Sequence, residues 1–98
     1  MEDNVQKEIN DLHMMIQNWK KDYLRSYDEA GGNEWLLSDF VEEIHMYVAP
    51  YLRRLFECDH INKVEYVNFI ERTQGEIQDM RRLLGLPDPW EKVNTHNK

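Results

Sequence analysis

The amino-acid sequence predicts an all-α protein: an antiparallel three-helix bundle with a proline-kinked central helix and a short C-terminal tail. Glycine and proline number only four and three among 98 residues, whereas Leu, Glu, Lys, Arg and Gln, which favour helices, are plentiful. Two segments repeat apolar residues at alternating intervals of four and three, the spacing of one helix face. Between them, 35–56 is the most apolar stretch of the chain, so a helix there needs covering on two sides.

The first helix is predicted over about residues 4–29. Asp3 and Gln6 resemble a capping box at its start. Gly31-Gly32 is expected to end it, because glycine readily adopts the left-handed conformation that closes helices. The heptad seam of this helix predicts packing against the central helix, with a self-associating coiled coil as the alternative. The seam consists of Val5, Ile9, Leu12, Ile16, Trp19 and Tyr23.

The second helix is predicted over about 34–58, with Asn33 or Ser38 as its N-terminal cap. Pro50 lacks a backbone N–H and clashes with the preceding turn, which costs about 3 kcal/mol or more, so a kink is expected near 47–50. The apolar periodicity resumes in phase after the proline. One kinked helix is therefore favoured, whereas a split would give four helical segments. The residues expected to be gripped by neighbours on both sides include Ile44, Val48 and Leu52.

The third helix is predicted over 63–84 and has the clearest start and stop. Asn62 with Glu65 resembles a capping box, and Gly85 followed by Pro87 is typical of a helix end. Short connections make each helix antiparallel to the next. The apolar stripe consists of Tyr66, Ile70, Thr73, Ile77, Met80 and Leu84, with Val67 and Leu83 widening it.

Folding the chain back at its two connections predicts contacts between oppositely charged residues on neighbouring helices. Exposed pairs of this kind contribute only about 0–1 kcal/mol each to stability. Their value is as a test of the predicted alignment of the helices. The expected pairs are Lys20 with Glu43, Lys21 with Glu42, and Arg81 with Asp39.

Residues 1–90 are predicted to form a single helical domain and 91–98 a flexible tail. Trp90 either packs on the end of the bundle or serves as a docking anchor, because Trp is enriched at binding hot spots. No apolar run approaches the roughly 18 residues that a bilayer span needs, and the acidic start does not resemble a signal peptide. Cys58 is the only cysteine, which fits a reducing cytoplasm. We therefore expect a cytoplasmic protein without membrane contact.

The charge balance narrows the class of partner. Nineteen acidic residues against twelve basic ones give a net charge of −7. Negative charge repels the phosphate backbone and anionic lipid, so direct nucleic-acid and membrane binding are disfavoured. The expected partner is a protein with a basic or apolar surface, although charge that merely keeps the chain in solution is the simpler interpretation.

No catalytic, cofactor-binding or metal-binding site is predicted. Two Glu-x-x-His patterns resemble metal-binding pairs of helical bundles, but they are 15 residues apart, or about 22 Å along a helix, too far to share a metal. Cys58 has no evident orienting group or oxyanion loop, and the chain has no glycine-rich phosphate loop. Enzyme activity is therefore the least favoured interpretation. The two patterns are Glu42–His45 and Glu57–His60.

The strongest asymmetry of charge lies at the first connection between helices. No Lys or Arg occurs between Arg25 and Arg53, whereas six carboxylates fall there. Acid around an aromatic anchor suits docking onto a basic partner, although helix N-termini and solvated corners also attract acidic residues. The predicted partner-binding residues are Tyr27, Asp28, Glu29, Glu34, Trp35, Asp39 and Trp90.

These observations favour a non-catalytic protein–protein interaction module, such as a regulator, an inhibitor or an immunity-like protein. One alternative is a structural homodimer, in which the helix seams continue across a two-fold interface. Another is a nucleic-acid mimic that sequesters a DNA- or RNA-binding protein, which requires carboxylates spaced like phosphates along one face. Neutralisation of the acidic residues by Lys20, Lys21 and Arg81 would argue against the mimic.

Overall fold

A computed structural model describes residues 3–86 of the chain. This range is helical and contains no strand, so the predicted all-α class and helical bundle are confirmed. The second, third and fourth segments below follow one another without a break and are called the central helix, 34–57. The segments are α1 (Asp3–Leu24), α2 (Glu34–Glu43), a π-helical turn (Ile44–Val48), α3 (Ala49–Glu57) and α4 (Lys63–Leu83).

α1 and the central helix run in opposite directions. Near the end of α1, Tyr23 lies edge-on to Phe40, with ring centroids 6.3 Å apart. Near the start of α1, Glu8 lies beside Tyr51. Because the earlier residue of α1 meets the later residue of the central helix, the two helices are antiparallel.

α4 runs parallel to α1 and therefore antiparallel to the central helix. The imidazole of His13 stacks on the ring of Phe69, with centroids 4.2 Å apart. Further along both helices, the Lys20 ammonium lies 2.7 Å from the Glu76 carboxylate. α4 also contacts both α-helical segments of the central helix, so each of the three helices packs against the other two.

One apolar core lies between the helices. Ile44, Val48 and Leu52 are only 6%, 1% and 3% exposed, which confirms that the neighbouring helices cover this side of the central helix. The seam of α1 also faces inward, so the fold of a single chain uses the surface that a coiled coil would need. The buried apolar residues are Val5, Ile9, Leu12, Ile16, Leu36, Phe40, Ile44, Val48, Leu52, Leu55, Ile61, Phe69, Met80 and Leu84.

The central helix accommodates Pro50 through the π-helical turn. The N–H of Ala49 donates to the carbonyl of Ile44, five residues earlier, instead of the four of an α-helix. Pro50 then stands in the first turn of α3. The π-helical turn overlaps the predicted kink region 47–50 and divides the central helix into two α-helical segments, which follow one another without a break.

The helix boundaries agree with prediction more closely at α4 than at α1. The backbone N–H of Glu65 donates to Asn62 Oδ1, and the N–H of Asn62 donates to Glu65 Oε1, both at 2.8 Å, so the predicted capping box is confirmed. No hydrogen bond of the box predicted at the start of α1 is present among residues 3–86: Asp3 is already the first residue of the helix, and Gln6 Nε2 donates to Asn10 Oδ1 at 3.1 Å. α1 ends at Leu24, five residues before position 29.

The buried face of α4 is shifted from its predicted position. Phe69, which the predicted stripe omits, is only 4% exposed because it stacks on His13 of α1. Val67 and Leu83, which the sequence predicts to widen the stripe, are 39% and 53% exposed. α4 therefore turns further toward α1 than its apolar spacing indicates. The stripe residues that are buried as predicted are Thr73, Met80 and Leu84.

The predicted charge pairs do not form within residues 3–86. Lys20 pairs with two carboxylates of α4, Glu76 at 2.7 Å and Asp79 at 2.8 Å, instead of with Glu43. The physical reason is that Lys20 lies on the side of α1 that faces α4, away from the central helix. No ion pair in this range joins Lys21 with Glu42 or Arg81 with Asp39.

The predictions for Trp90 and for the tail 91–98 lie outside the described residues. Among residues 3–86, no helix combines the length and the apolar character needed to cross a membrane.

Candidate functional site

The candidate site is the surface around the connection between α1 and the central helix. We call it the acidic corner. Trp35 and Tyr27 are exposed there by 53% and 46% of their surface, although aromatic side chains normally contribute to the core of a protein. The corner is defined by Tyr27, Asp28, Glu29, Glu34, Trp35 and Asp39.

The side chain of Asn33 holds the connection in one conformation. Asn33 is only 5% exposed. Its Nδ2 donates to the carbonyl of Asp28 at 2.8 Å, and its Oδ1 accepts from the N–H of Asp28 at 3.0 Å. Asn33 stands at the N-cap position of α2 as predicted, but its side chain does not cap the helix. It closes the loop instead.

Further hydrogen bonds tighten this loop from within. The N–H of Ala30 donates to Asp28 Oδ1 at 2.9 Å, and the N–H of Gly31 donates to the carbonyl of Asp28 at 3.1 Å. Gly31 and Gly32 have φ angles of 105° and 77°, which residues with a side chain rarely adopt. The acidic corner is therefore a preformed surface, with Tyr27 and Trp35 at its two ends.

The carboxylates of the corner form no ion pair in the part of the chain that the structure describes. The ion pairs of residues 3–86 involve only carboxylates outside the corner, at Asp22, Glu76 and Asp79. Asp28, Glu29 and Glu34 are exposed, whereas Asp39 is half-buried. Their charges are thus available to an incoming partner.

The negative potential of the corner extends to the adjoining face of the bundle. Burial, and then the neighbouring Glu43 carboxylate, raise the pKa of Tyr23 to about 12, with smaller contributions from Asp39 and Glu42. A carboxylate oxygen of Glu43, Oε2, is buried without a hydrogen-bond partner among residues 3–86. Negative charge therefore accumulates where the start of the central helix meets the end of α1.

Cys58 and His60 line one pocket of about 340 Å³ together with Glu8, Tyr51 and Arg54. A cysteine nucleophile needs a base within hydrogen-bonding reach. No side-chain hydrogen bond joins Cys58 to His60 or His60 to Glu8 among the bonds of residues 3–86. The pocket therefore contains the residue types of a nucleophilic site but not the hydrogen bonds that such a site needs.

The two Glu-x-x-His patterns are not assembled into a metal centre. Within residues 3–86, no group of three or more His, Cys, Asp or Glu side chains is arranged to hold a metal ion. His45 instead lies at the rim of an apolar groove of about 310 Å³ between the central helix and α4. Thr73 lines this groove, and its hydroxyl has no hydrogen-bond partner in the same range.

Sequence reasoning missed two features of the surface. His13 carries no signal of burial in the sequence, because it lies beside the α1 seam and not on it, whereas the structure buries it against Phe69. Tyr47 and Tyr51 belong to the apolar stretch 35–56, which is predicted to be covered on two sides, whereas they are 60% and 38% exposed. The available signal was their position, one residue before Val48 and Leu52 and therefore about 100° around the helix from the buried face.

Comparison with known proteins finds no family model, no curated protein and no solved structure that matches this chain.

Proposed function

We propose that this chain is a non-catalytic, cytoplasmic protein–protein interaction module, acting as a regulator, an inhibitor or an immunity-like protein. It docks through the acidic corner onto a basic protein surface. The observation that carries the proposal is the exposure of Trp35 and Tyr27 on a loop closed by Asn33, among carboxylates that have no basic partner within residues 3–86.

The corner combines the two properties that favour specific docking. An exposed Trp or Tyr buries a large area when it enters a pocket of the partner, and such anchors carry most of the energy of many interfaces. Because the loop is already closed by hydrogen bonds, little conformational entropy is lost on binding. The surrounding carboxylates accelerate encounter with a basic partner and select against acidic ones.

The unneutralised carboxylates also support a second candidate, the nucleic-acid mimic. Lys20 is engaged by Glu76 and Asp79, so it does not neutralise the corner. A mimic would bind the same basic surface that its partner uses for phosphate groups. Displacement of a captured partner by duplex DNA or RNA would favour the mimic, whereas an unaffected complex would favour docking elsewhere on the partner.

The test is affinity capture from a lysate of the source organism, with the immobilised wild-type protein and the double variant Trp35→Ala/Glu34→Lys. We expect the wild type to retain a specific protein and the variant to lose it, because the anchor is removed and a charge is reversed. The matched control is Leu83→Ala/Glu71→Lys on α4, since Leu83 is as exposed as Trp35, at 53%.

The control variant should retain the same protein as the wild type. Equal recovery by the wild type and by the corner variant would overturn the proposal, and so would an empty wild-type column. Circular dichroism of all three proteins should be the same, because the substituted residues are exposed.

A further inference from the structure

The outer face of the central helix carries an apolar patch at its middle. Met46 and Tyr47 are 58% and 60% exposed, and Tyr51 is 38% exposed. Pro50, between them, is exposed as well. Grouped exposed apolar side chains of this kind on a small protein indicate an interaction surface.

Charges of opposite sign flank this patch. Asp39 and Glu42 precede it, and Arg53 and Arg54 follow it. Apart from the half-buried Asp39, these side chains are exposed, and within residues 3–86 none of the four forms an ion pair. From its N-terminal to its C-terminal end, the outer face of the central helix is therefore acidic, then apolar, then basic.

The flanking charges are also placed symmetrically. Asp39 lies seven residues before Met46, and Arg54 lies seven residues after Tyr47, about 10 Å of helix on either side. Both charged residues lie toward α1, since Asp39 is near Tyr23 and Arg54 lines a pocket with Glu8. A two-fold axis across the middle of the helix keeps each residue on its own side and exchanges the two ends.

We propose that a second copy of this chain packs antiparallel on the outer face of the central helix, with a two-fold axis between Met46 and Tyr47. In this arrangement Asp39 of each copy faces Arg54 of the other. A parallel arrangement would place acid against acid and base against base, so the charges select the antiparallel orientation.

The apolar middle supplies most of the binding energy, because an exposed ion pair contributes only about 0–1 kcal/mol. Its three exposed apolar side chains are few compared with the roughly 20–30 residues per partner of a standard interface. The dimer is therefore weak, with a dissociation constant on the order of 10–100 μM. The paired region shares Asp39 with the acidic corner, but the aromatic anchors Tyr27 and Trp35 of the corner lie beyond it, so the dimer does not depend on docking there.

The test is sedimentation equilibrium from about 5 to 500 μM, a range that brackets the expected dissociation constant. We expect the wild type to dimerise with rising concentration. Asp39→Arg alone and Arg54→Asp alone should each weaken self-association about tenfold or more, because each variant opposes like charges twice across the axis. An equimolar mixture of the two variants should associate again, since each supplies the charge that the other lacks.

The controls carry the same changes in net charge elsewhere on the surface. Glu71→Arg on α4 and Lys7→Asp on α1 should dimerise like the wild type, since both residues are exposed and lie outside the paired face. Unchanged far-UV circular dichroism should show that all variants fold.

A wild type that remains monomeric at about 500 μM would overturn the proposal and leave this face to a partner of other chemistry. Single variants that dimerise like the wild type, or a mixture that fails to associate, would overturn it equally. The capture variant leaves Asp39 and Arg54 unchanged, and sedimentation of the purified chain involves no other protein, so the failure of one proposal is distinguishable from the failure of the other.

Discussion

At the scale of single residues, His13 links the core of the bundle to pH. It is 8% exposed and stacks on Phe69. Burial, and then the positive charge of Arg72, lower the pKa of His13 to about 4, against a partly compensating effect of Glu76. The imidazole is therefore neutral in the folded protein at pH 7, whereas the unfolded chain binds a proton near pH 6.5.

This difference predicts how stability depends on pH. Between pH 6.5 and about 4 the unfolded state binds more protons than the folded state, so the free energy of unfolding falls as the pH is lowered through this window. At pH 5 the expected loss is about 2 kcal/mol relative to pH 7.5. Urea denaturation at both pH values measures it. The free energy of unfolding of His13→Leu should fall much less between the two pH values, whereas that of His45→Gln, a change at an exposed position, should fall as in the wild type. Equal decreases in the wild type and in His13→Leu would contradict the prediction.

Asn33 is the single residue on which the shape of the acidic corner depends most. Asn33→Ala removes two part-buried hydrogen bonds to the backbone of Asp28, whose N–H loses its partner while its carbonyl keeps only the N–H of Gly31. We expect the free energy of unfolding to fall by about 1–3 kcal/mol. Urea denaturation measures the change, and Asn68→Ala, at an exposed position of α4, should shift it by less than about 0.5 kcal/mol. Similar values for the two variants would show that the loop does not depend on Asn33.

At the scale of helices, α3 and α4 end in the same way with different residues. The N–H of His60 donates to the carbonyl of Leu55 at 2.9 Å, and the N–H of Leu86 donates to that of Arg81 at 3.0 Å. Both are the 6→1 backbone hydrogen bond of a Schellman motif, in which an N–H donates to the carbonyl five residues earlier. The left-handed position is Gly85 after α4, with φ 71°, and Asp59 after α3, with φ 62°. Asp is strained at such a φ, whereas Gly is not.

This comparison predicts that Asp59→Gly stabilises the protein. The free energy of unfolding should rise by about 0.5–1 kcal/mol, because glycine removes the steric cost of the left-handed conformation. Thermal or urea denaturation measures the change. Glu57→Gly, two residues earlier at the last position of α3, should instead destabilise the protein, by up to about 1 kcal/mol. A loss of stability on Asp59→Gly would show that the carboxylate itself contributes at this turn.

The predicted boundaries succeeded where a local signal was present. Asn62 with Glu65 marks the start of α4 in the sequence, and the structure forms both hydrogen bonds of the box. α1 has no comparable stop signal before Gly31. The N–H of Tyr27 donates to the carbonyl of Leu24 at 3.1 Å, so α1 is closed by a tight turn that leaves no mark in composition.

The π-helical turn had a signal that the proline obscured. Buried residues of the central helix recur every four positions from Leu36 to Leu52. In a regular α-helix each step of four advances about 40° around the axis, so Leu52 would lie about 160° from Leu36. Both are buried, and a wider turn between them is what keeps them on one side. Four consecutive intervals of four thus indicate a π-helical turn as well as a kink.

At the scale of the whole molecule, apolar periodicity was sufficient to predict the fold class, but it was insufficient to predict which side chains of neighbouring helices face each other. The seam of α1 and the inward residues of the central helix follow from spacing, because burial of apolar area dominates folding. Charge pairing contributes little, so it could not tell which helix Lys20 would face. The acidic corner was predictable as a cluster in sequence, since its residues adjoin one connection. Its closure by Asn33 was not, because that contact depends on the folded loop.

The pairing of Lys20 with α4 predicts a stabilising contact between the first and third helices. Burial alone would lower the pKa of Lys20, but hydrogen bonds to Asp79 and Glu76 hold it above its ordinary value. Lys20→Met leaves these two carboxylates facing each other without the ammonium group. We expect the free energy of unfolding to fall by about 1 kcal/mol at low salt, and by less at about 1 M NaCl because salt screens the remaining repulsion. Urea denaturation allows both salt conditions. The control is Arg25→Met, which removes the exposed ion pair with Asp22, 3.3 Å long, at the end of α1. This substitution should change the free energy of unfolding by less than about 0.5 kcal/mol. An equal effect of the two substitutions would mean that the ion pairs between α1 and α4 do not stabilise the bundle.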